Sequence, residues 1–168
     1  IFLSDVPELF TSGVLPLDCV LLNLTRPDAH GYCSFGTSVD ATLAATRAAK
    51  TVIAQLNSSM PRTLGDSFIH TDEIDLGVEV DQAPYEHLPP PIGDVERRIG
   101  EFVAELVPDG ATVQMGIGSI PAAVALALRE KRDLGVHTEL FTDPVLDLVE
   151  SGAITGARKE INRGKIVS

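Results

Sequence analysis

Three residues set the chemical possibilities of this chain: Gly116, Gly118 and Glu139. The apolar stretch Ala111, Thr112, Val113, Gln114, Met115 runs into Gly116-Ile117-Gly118-Ser119-Ile120-Pro121 and then into Ala122, Ala123 and Val124. That order reads as a strand, a tight glycine turn and a helix start. Neither glycine carries a Cβ, so a ligand can approach the backbone closely. Ser119 is a good helix cap, and Pro121 sits where a first-turn proline is tolerated. The free N–H groups of such a first turn attract an anion. A second short stretch, Gly135-Val136-His137-Thr138-Glu139-Leu140, follows the helix as the next strand. Ligands of open parallel sheets bind at the carboxyl ends of strands, so the turn and Glu139 are expected to face one crevice.

On spacing alone the chemistry stays open. Glu139 lies 21 positions after Gly118, and an acidic residue there can hold a ribose hydroxyl in a dinucleotide site. Pro121 stands where the third glycine of that motif belongs. A carboxylate can instead attack an acyl carbon as a nucleophile, or be an ordinary surface or ion-paired glutamate. The glycine turn has an equally plain reading, as the tight connection that packs a strand on a helix. His137 is two residues before Glu139, so on a strand both point to one side. It can tune the carboxylate, though a packed or exposed strand histidine is the simpler reading. His30, His70 and His87 are far apart and show no metal-ligand spacing, so no metal is expected.

The elements that must position these residues follow from the rest of the pattern. Residues 17–24 form a near-continuous apolar run suited to a buried parallel strand. Residues 26–36 are rich in turn formers and read as a loop. Ser38 can cap a helix from Ala41 to Lys50, and 51–56 reads as a second strand. Residues 57–72 look irregular. The stretch 73–81 is acidic and reads as a solvated face, with no assignment as helix or strand. Tyr85 to Ile92 carries three consecutive prolines and is expected to be a stiff linker. Gly93-Asp94 then starts an amphipathic helix with Val95, Ile99, Phe102, Val103 and Leu106 on one face. A further helix is expected from about Pro144 to Glu150, and Lys165-Ile166-Val167-Ser168 reads as the opening of another strand. Strand–loop–helix–strand order indicates an α/β architecture built on parallel sheet.

Composition narrows the function classes. The 168 residues are 44% hydrophobic and 22% charged, which is globular. The net charge of −11 disfavours a nucleic-acid backbone as partner. It also means that an anionic ligand must be held by local dipoles and particular cations. No apolar run reaches membrane-spanning length, so no membrane partner is expected. No signal peptide is evident, and two cysteines without metal spacing, Cys19 and Cys33, fit a reduced, cytoplasmic setting. Cys33 reads as a small buried hydrophobe.

A longer comparison of motifs is more specific. Gly-Ile-Gly-Ser-Ile-Pro-Ala-Ala-Val at 116–124 and Gly-Val-His-Thr-Glu-Leu at 135–140 closely resemble the acetyl-CoA hydrolase/transferase family, within the class I CoA-transferases. The resemblance extends to Pro61-Arg62-Thr63-Leu64-Gly65-Asp66-Ser67-Phe68-Ile69-His70, to Asp72-Glu73-Ile74-Asp75, and to Pro27-Asp28-Ala29-His30-Gly31-Tyr32-Cys33-Ser34-Phe35-Gly36. It implies that Glu139 is the covalent nucleophile and that Gly116, Ile117, Gly118, Ser119 and Ile120 contact coenzyme A. It implies transfer of coenzyme A between a short acyl-CoA, such as acetyl-CoA, and a small carboxylic acid, such as 4-hydroxybutyrate, with acetyl-CoA hydrolysis as the alternative. A non-catalytic nucleotide-binding module is the reading from another class. His30 and His70 fall in family-like loops and can form a wall of the site. Family members resemble two α/β domains in chains more than twice this long. The expectation is therefore a fragment: residues 1–84 the latter part of a first domain, 85–92 the linker, and 93–168 an incomplete second domain that carries the nucleophile. Such a fragment is expected to be inactive or nearly so, and the intact enzyme to be a homo-oligomer.

Overall fold

The computed structural model describes residues 1–86 and 90–168. His87, Leu88 and Pro89, in the middle of the expected linker, lie outside the described residues. The chain divides into two compact units, Ile1–Glu86 and His87–Ser168. Each is α/β.

The first unit opens with a short helix, α1 (Val6–Thr11), and then the strand β1 (Cys19–Thr25). A second strand, β2 (Tyr32–Ser34), precedes helix α2 (Thr42–Ala48) and strand β3 (Thr51–Asn57). Two more strands complete it, β4 (Phe68–His70) and β5 (Leu76–Val80). β1, β3 and β5 form a parallel sheet with β3 in the centre, in register from Cys19↔Thr51 and from Ile53↔Leu76. The core gathers on one face: Leu22, Leu24, Val52 and Ala54 from the sheet, with Cys33, Phe35 and Ile69. Full burial of a leucine such as Leu24 stabilises by about 2 kcal/mol.

Two features differ from the sequence reading, and a third fills in a stretch it left unassigned. β1 is not buried on both faces: it alternates, and Leu21 is 78% exposed. The two stretches expected to be irregular, 26–36 and 57–72, each hold a three-residue strand, and β2 pairs antiparallel with β4. These runs are too short for a period to show in sequence, and a buried hydroxyl holds the loop between them against the end of β2. Ser34 Oγ accepts from Gly36 N and Thr63 N at 3.1 Å each, while Ser34 N donates to Thr25 Oγ1 at 2.8 Å. The acidic stretch contains β5, the third parallel strand, solvated along most of its length. Its entry is pinned by Asp75, whose Oδ2 accepts from Val52 N at 2.7 Å.

The second unit runs α3 (Asp94–Leu106), β6 (Thr112–Val113), α4 (Ser119–Ala127), β7 (Gly135–Val136) and α5 (Asp143–Glu150). β6 and β7 are parallel, in register Thr112↔Gly135 and Val113↔Val136. The terminal segment joins the far side of β7 through a parallel bridge, His137↔Val167. Leu128, Leu134, Val136, Val145 and Leu148 form the core.

The expected apolar face of α3 is only half used. Ile99 and Val103 are partly buried, but Val95, Phe102 and Leu106 are exposed. The residues that α3 buries are Gly100 and Ala104. A Cβ on Gly100 would lie 2.5 Å from the Ala123 carbonyl oxygen, so glycine is what lets α3 lie directly on α4. Gly100→Val should therefore force the helices apart and destabilise the unit by about 1–3 kcal/mol. Chemical denaturation of the variant checks this, and an unchanged midpoint would contradict it.

Candidate active site

The glycine turn begins where β6 ends. Met115 is buried, whereas Gly116 and Ile117 are exposed and Gly118 is half-buried. Gly118 has φ 114° and ψ −176°, a conformation essentially confined to glycine. A Cβ there would meet nothing within 4 Å, and at Gly116 it would only reach ordinary contact, 3.7 Å from Pro121 Cγ. Close packing of strand on helix is therefore not what requires these two glycines. Gly118 requires glycine through its backbone angles, and the space above the turn is open.

Gly118, not Ser119, is the cap of α4; Ser119 is the first helical residue and makes no capping hydrogen bond. The helix bond nearest the turn runs from Ala122 N to Gly118 O at 3.2 Å. The N–H groups of Ser119 and Ile120 precede the first possible intrahelical acceptor, and Pro121 has none. Two backbone donors thus point out of the turn at the positive end of the helix.

Glu139 leaves the sheet beside this turn. β7 ends at Val136, and His137 N continues the ladder by donating to Val113 O at 3.0 Å. The ladder is then replaced by a side chain. Thr138 Oγ1 donates to Met115 O at 2.8 Å and accepts from Met115 N at 3.0 Å. Met115 immediately precedes the turn and Thr138 immediately precedes Glu139, so both candidate groups start from one pair of hydrogen bonds. His137 and Glu139 are exposed and Thr138 is 6% exposed, the alternation expected of a strand. Thr138 N donates to Val167 O at 2.9 Å on the other side.

Sequence reasoning passed over Thr138, and also Lys159. Lys159 is 5% exposed, and its Nζ donates to Val136 O at 2.7 Å and to Lys165 O at 2.8 Å. It fastens the terminal segment to β7. The signal for Thr138 was present in the period of two around Glu139; Lys159 gives none, since a lysine is rarely buried. A cavity of about 330 Å³ lies at Thr112, His137, Arg158 and Lys159, away from the turn. Arg158 pairs with Asp133 at 3.2 Å with its side chain 60% exposed, and Lys159 Nζ is held by two backbone carbonyls.

In the first unit, His30 and His70 share one loop cluster. His70 Nε2 lies 3.1 Å from His30 O, and His70 Nδ1 accepts from Asp72 N at 3.2 Å. Asp28 accepts from His30 N and Tyr32 N and pairs with Arg62 at 2.7 Å. The backbone N–H groups of Tyr32 and His30 hold its carboxyl below the usual carboxylate range, with Arg62 adding to them. Arg62 also lies over the Phe68 ring at 4.7 Å. Cys33 is fully buried and burial pushes its thiol up; Cys19 is exposed, and both are free.

Comparison with known proteins decides the family. The family model for the acetyl-CoA hydrolase/transferase N-terminal domain matches residues 1–88. The chain belongs to the acetyl-CoA hydrolase/transferase family. It is 51% identical over 166 residues to 4-hydroxybutyrate coenzyme A transferase of Clostridium kluyveri, covering 99% of this chain and 39% of that protein. It is 48% identical to a succinyl-CoA:acetate/propanoyl-CoA:succinate CoA transferase of Fasciola hepatica, covering 35% of it. The crystal structure of a 4-hydroxybutyrate CoA-transferase from Porphyromonas gingivalis superposes with a TM-score of 0.94 at 44% identity, over 98% of this chain and 42% of that one. RipA from Yersinia pestis gives a TM-score of 0.94 at 32% identity, covering 99% of this chain and 39% of that one. The chain thus spans about two fifths of the length of these family members. Among the described residues, no helix is long and apolar enough to cross a membrane.

Proposed function

We propose that this segment carries the nucleophile and the coenzyme A-binding turn of a CoA-transferase. The reaction passes coenzyme A from a short acyl-CoA to a small carboxylic acid, with 4-hydroxybutyrate the acid suggested by the similar enzymes. The observation that carries the reading is the pair of hydrogen bonds between Thr138 and Met115, which starts an exposed carboxylate and an open glycine turn from one point. The residues required at these two places are the ones the chemistry needs.

Glu139 attacks the thioester carbonyl, the C–S bond breaks, and coenzyme A leaves as thiolate. The product is a mixed anhydride between Glu139 and the acyl group. The thiolate then attacks the Glu139 carbonyl of that anhydride, releasing the first acid as carboxylate and leaving a glutamyl thioester. An incoming carboxylate repeats the two steps in reverse. A glutamate suits this cycle because its adduct with a carboxylate is an anhydride, which stays energy-rich. The N–H groups of Ser119 and Ile120 are the donors for an oxyanion at the thioester carbonyl, typically about 3–4 kcal/mol each. Hydrolysis is the same sequence with water intercepting the glutamyl adduct. The net charge of −11 gives an anionic substrate no help at long range, so binding falls to this turn and to nearby cations. We place the reaction in the cytoplasm, where Cys19 and Cys33 remain thiols, and the working enzyme in a homo-oligomer.

Two variants of the full-length enzyme containing this segment test the reading. Glu139→Gln keeps shape and hydrogen bonding but not the nucleophile, so transfer should fall by several orders of magnitude while acyl-CoA still binds. Retention of more than about a tenth of the turnover would remove Glu139 from the nucleophile's role. Loss of binding with it would favour a ribose-binding glutamate. Gly118→Val strains a backbone at φ 114° and puts a side chain into the open space above the turn. A large loss of coenzyme A affinity is expected by calorimetric titration. An unchanged dissociation constant would take the turn out of the binding site.

A further inference from the structure

Beyond Val113 and Val136 the two strands of the second unit stop exchanging ladder bonds, apart from the single donation of His137 N to Val113 O. The register offset between them is 23 residues at Thr112↔Gly135 and Val113↔Val136, and the same offset joins Met115 to Thr138. Two positions further along that register a hydroxyl closes the gap. Thr138 Oγ1 takes both polar groups of Met115, one as donor and one as acceptor. On its other side Thr138 N is bonded to Val167 O, and Val167 N to Val136 O. The residue before Glu139 is therefore held from both neighbours, by its hydroxyl towards the turn and by its backbone towards the terminal segment. Met115 and Thr138 are both 6% exposed, so no water replaces these bonds from the surface.

We infer that Thr138 is a positioning residue for the transfer reaction: its hydroxyl sets the separation between the Glu139 carboxylate and the Gly116–Gly118 turn. The inference rests on the reading of Glu139 as nucleophile. The physical case is one of geometry. An attacking carboxylate and the donors that receive the developing oxyanion must be held at a fixed spacing, and a displacement of about 1 Å can cost about a hundredfold in rate. Here one side chain sets that spacing, and nothing else in the register bonds the strand before the turn to the residue before Glu139. Valine has the shape of threonine but can neither donate nor accept. In its place the N–H and C=O of Met115 would be buried without partners, and the strand ends would separate to find water. Serine keeps both bonds and loses only a methyl group.

The test is steady-state kinetics of Thr138→Val, Thr138→Ser and Glu139→Gln in the full-length enzyme, with kcat expressed per folded molecule by circular dichroism. Thr138→Val should lower kcat about a hundredfold with the KM for acyl-CoA changed by no more than about threefold, because the turn itself is intact. Thr138→Ser should restore kcat to within about threefold of wild type. A folded Thr138→Val with wild-type kcat, or a loss confined to KM, would overturn the inference while an inactive Glu139→Gln left the nucleophile standing. An active Glu139→Gln would overturn the underlying reading instead. Should Thr138→Val fail to fold, Thr138→Ala is measured against the same expectations. Failure of both to fold, with Thr138→Ser normal, would make Thr138 a residue of fold stability and overturn the positioning role.

Discussion

A parallel strand pair that opens must have something to stop it opening too far. In the second unit that constraint is the contact of one threonine hydroxyl with both backbone groups of Met115. A hydrogen bond of this kind contributes about 0.5–1.5 kcal/mol net, which is a small part of the fold's stability. Its consequence for geometry is larger. The two bonds mark the point beyond which one chain turns into a helix and the other leaves the sheet at Glu139. The open end of the strand pair, the glycine turn and the exposed carboxylate all follow from where this contact sits.

The turn illustrates how little the local packing constrains a residue that function can require. A Cβ at Gly118 would meet nothing within 4 Å beyond its chain neighbours among the described residues, and one at Gly116 would make only ordinary contact with Pro121. Gly100, by contrast, is demanded by the neighbouring helix, with the Ala123 carbonyl 2.5 Å from where its Cβ would be. The same residue type thus serves two ends. At Gly100 it brings two helices together, and at Gly118 it permits a backbone conformation and leaves room above it. The acidic balance of the chain adds to the contrast. An anion gains no attraction at distance from the charge of these 168 residues and must be held by close, directed donors. The N–H groups at the start of α4, which have no intrahelical acceptor, are of that kind, and of the cavity's two cations Lys159 is held by two carbonyls.

Much of this was legible in the sequence, for physical reasons that differ by element. The strands β1 and β3 announce themselves as apolar runs, and α5 as an apolar segment with a first-turn proline. The Gly-x-Gly turn and Glu139 stand out only through the longer run of family-like motifs, since on spacing alone each also has a plain packing or surface reading. β2 and β4 were missed because three residues carry no period, and their pairing joins positions 34 or more apart in sequence, Ser34 with Phe68 and Tyr32 with His70. β5 was hidden by its charge and its exposure. The face of α3 was misjudged because hydrophobic periodicity favours large side chains, while the actual contact uses Gly100 and Ala104. The cap of α4 falls one residue early, on Gly118, whose glycine-only backbone at φ 114° leaves Ser119 as the first helical residue. Thr138 shows in the period of two that exposes His137 and Glu139, whereas Lys159 looks like a surface residue until the carbonyls that bury it are in place.

The central claim is that Glu139 becomes covalently acylated by coenzyme A's thioester and then holds coenzyme A itself. It is tested most directly by treating the full-length enzyme with acetyl-CoA, reducing it with borohydride, and mapping the modified residue by mass spectrometry. Borohydride reduces a glutamyl thioester to the alcohol and releases coenzyme A as thiol. The account predicts reduction at Glu139, and only after exposure to the acyl-CoA. Reduction at a different carboxylate, or an unmodified Glu139 in an enzyme that turns over normally, would contradict it.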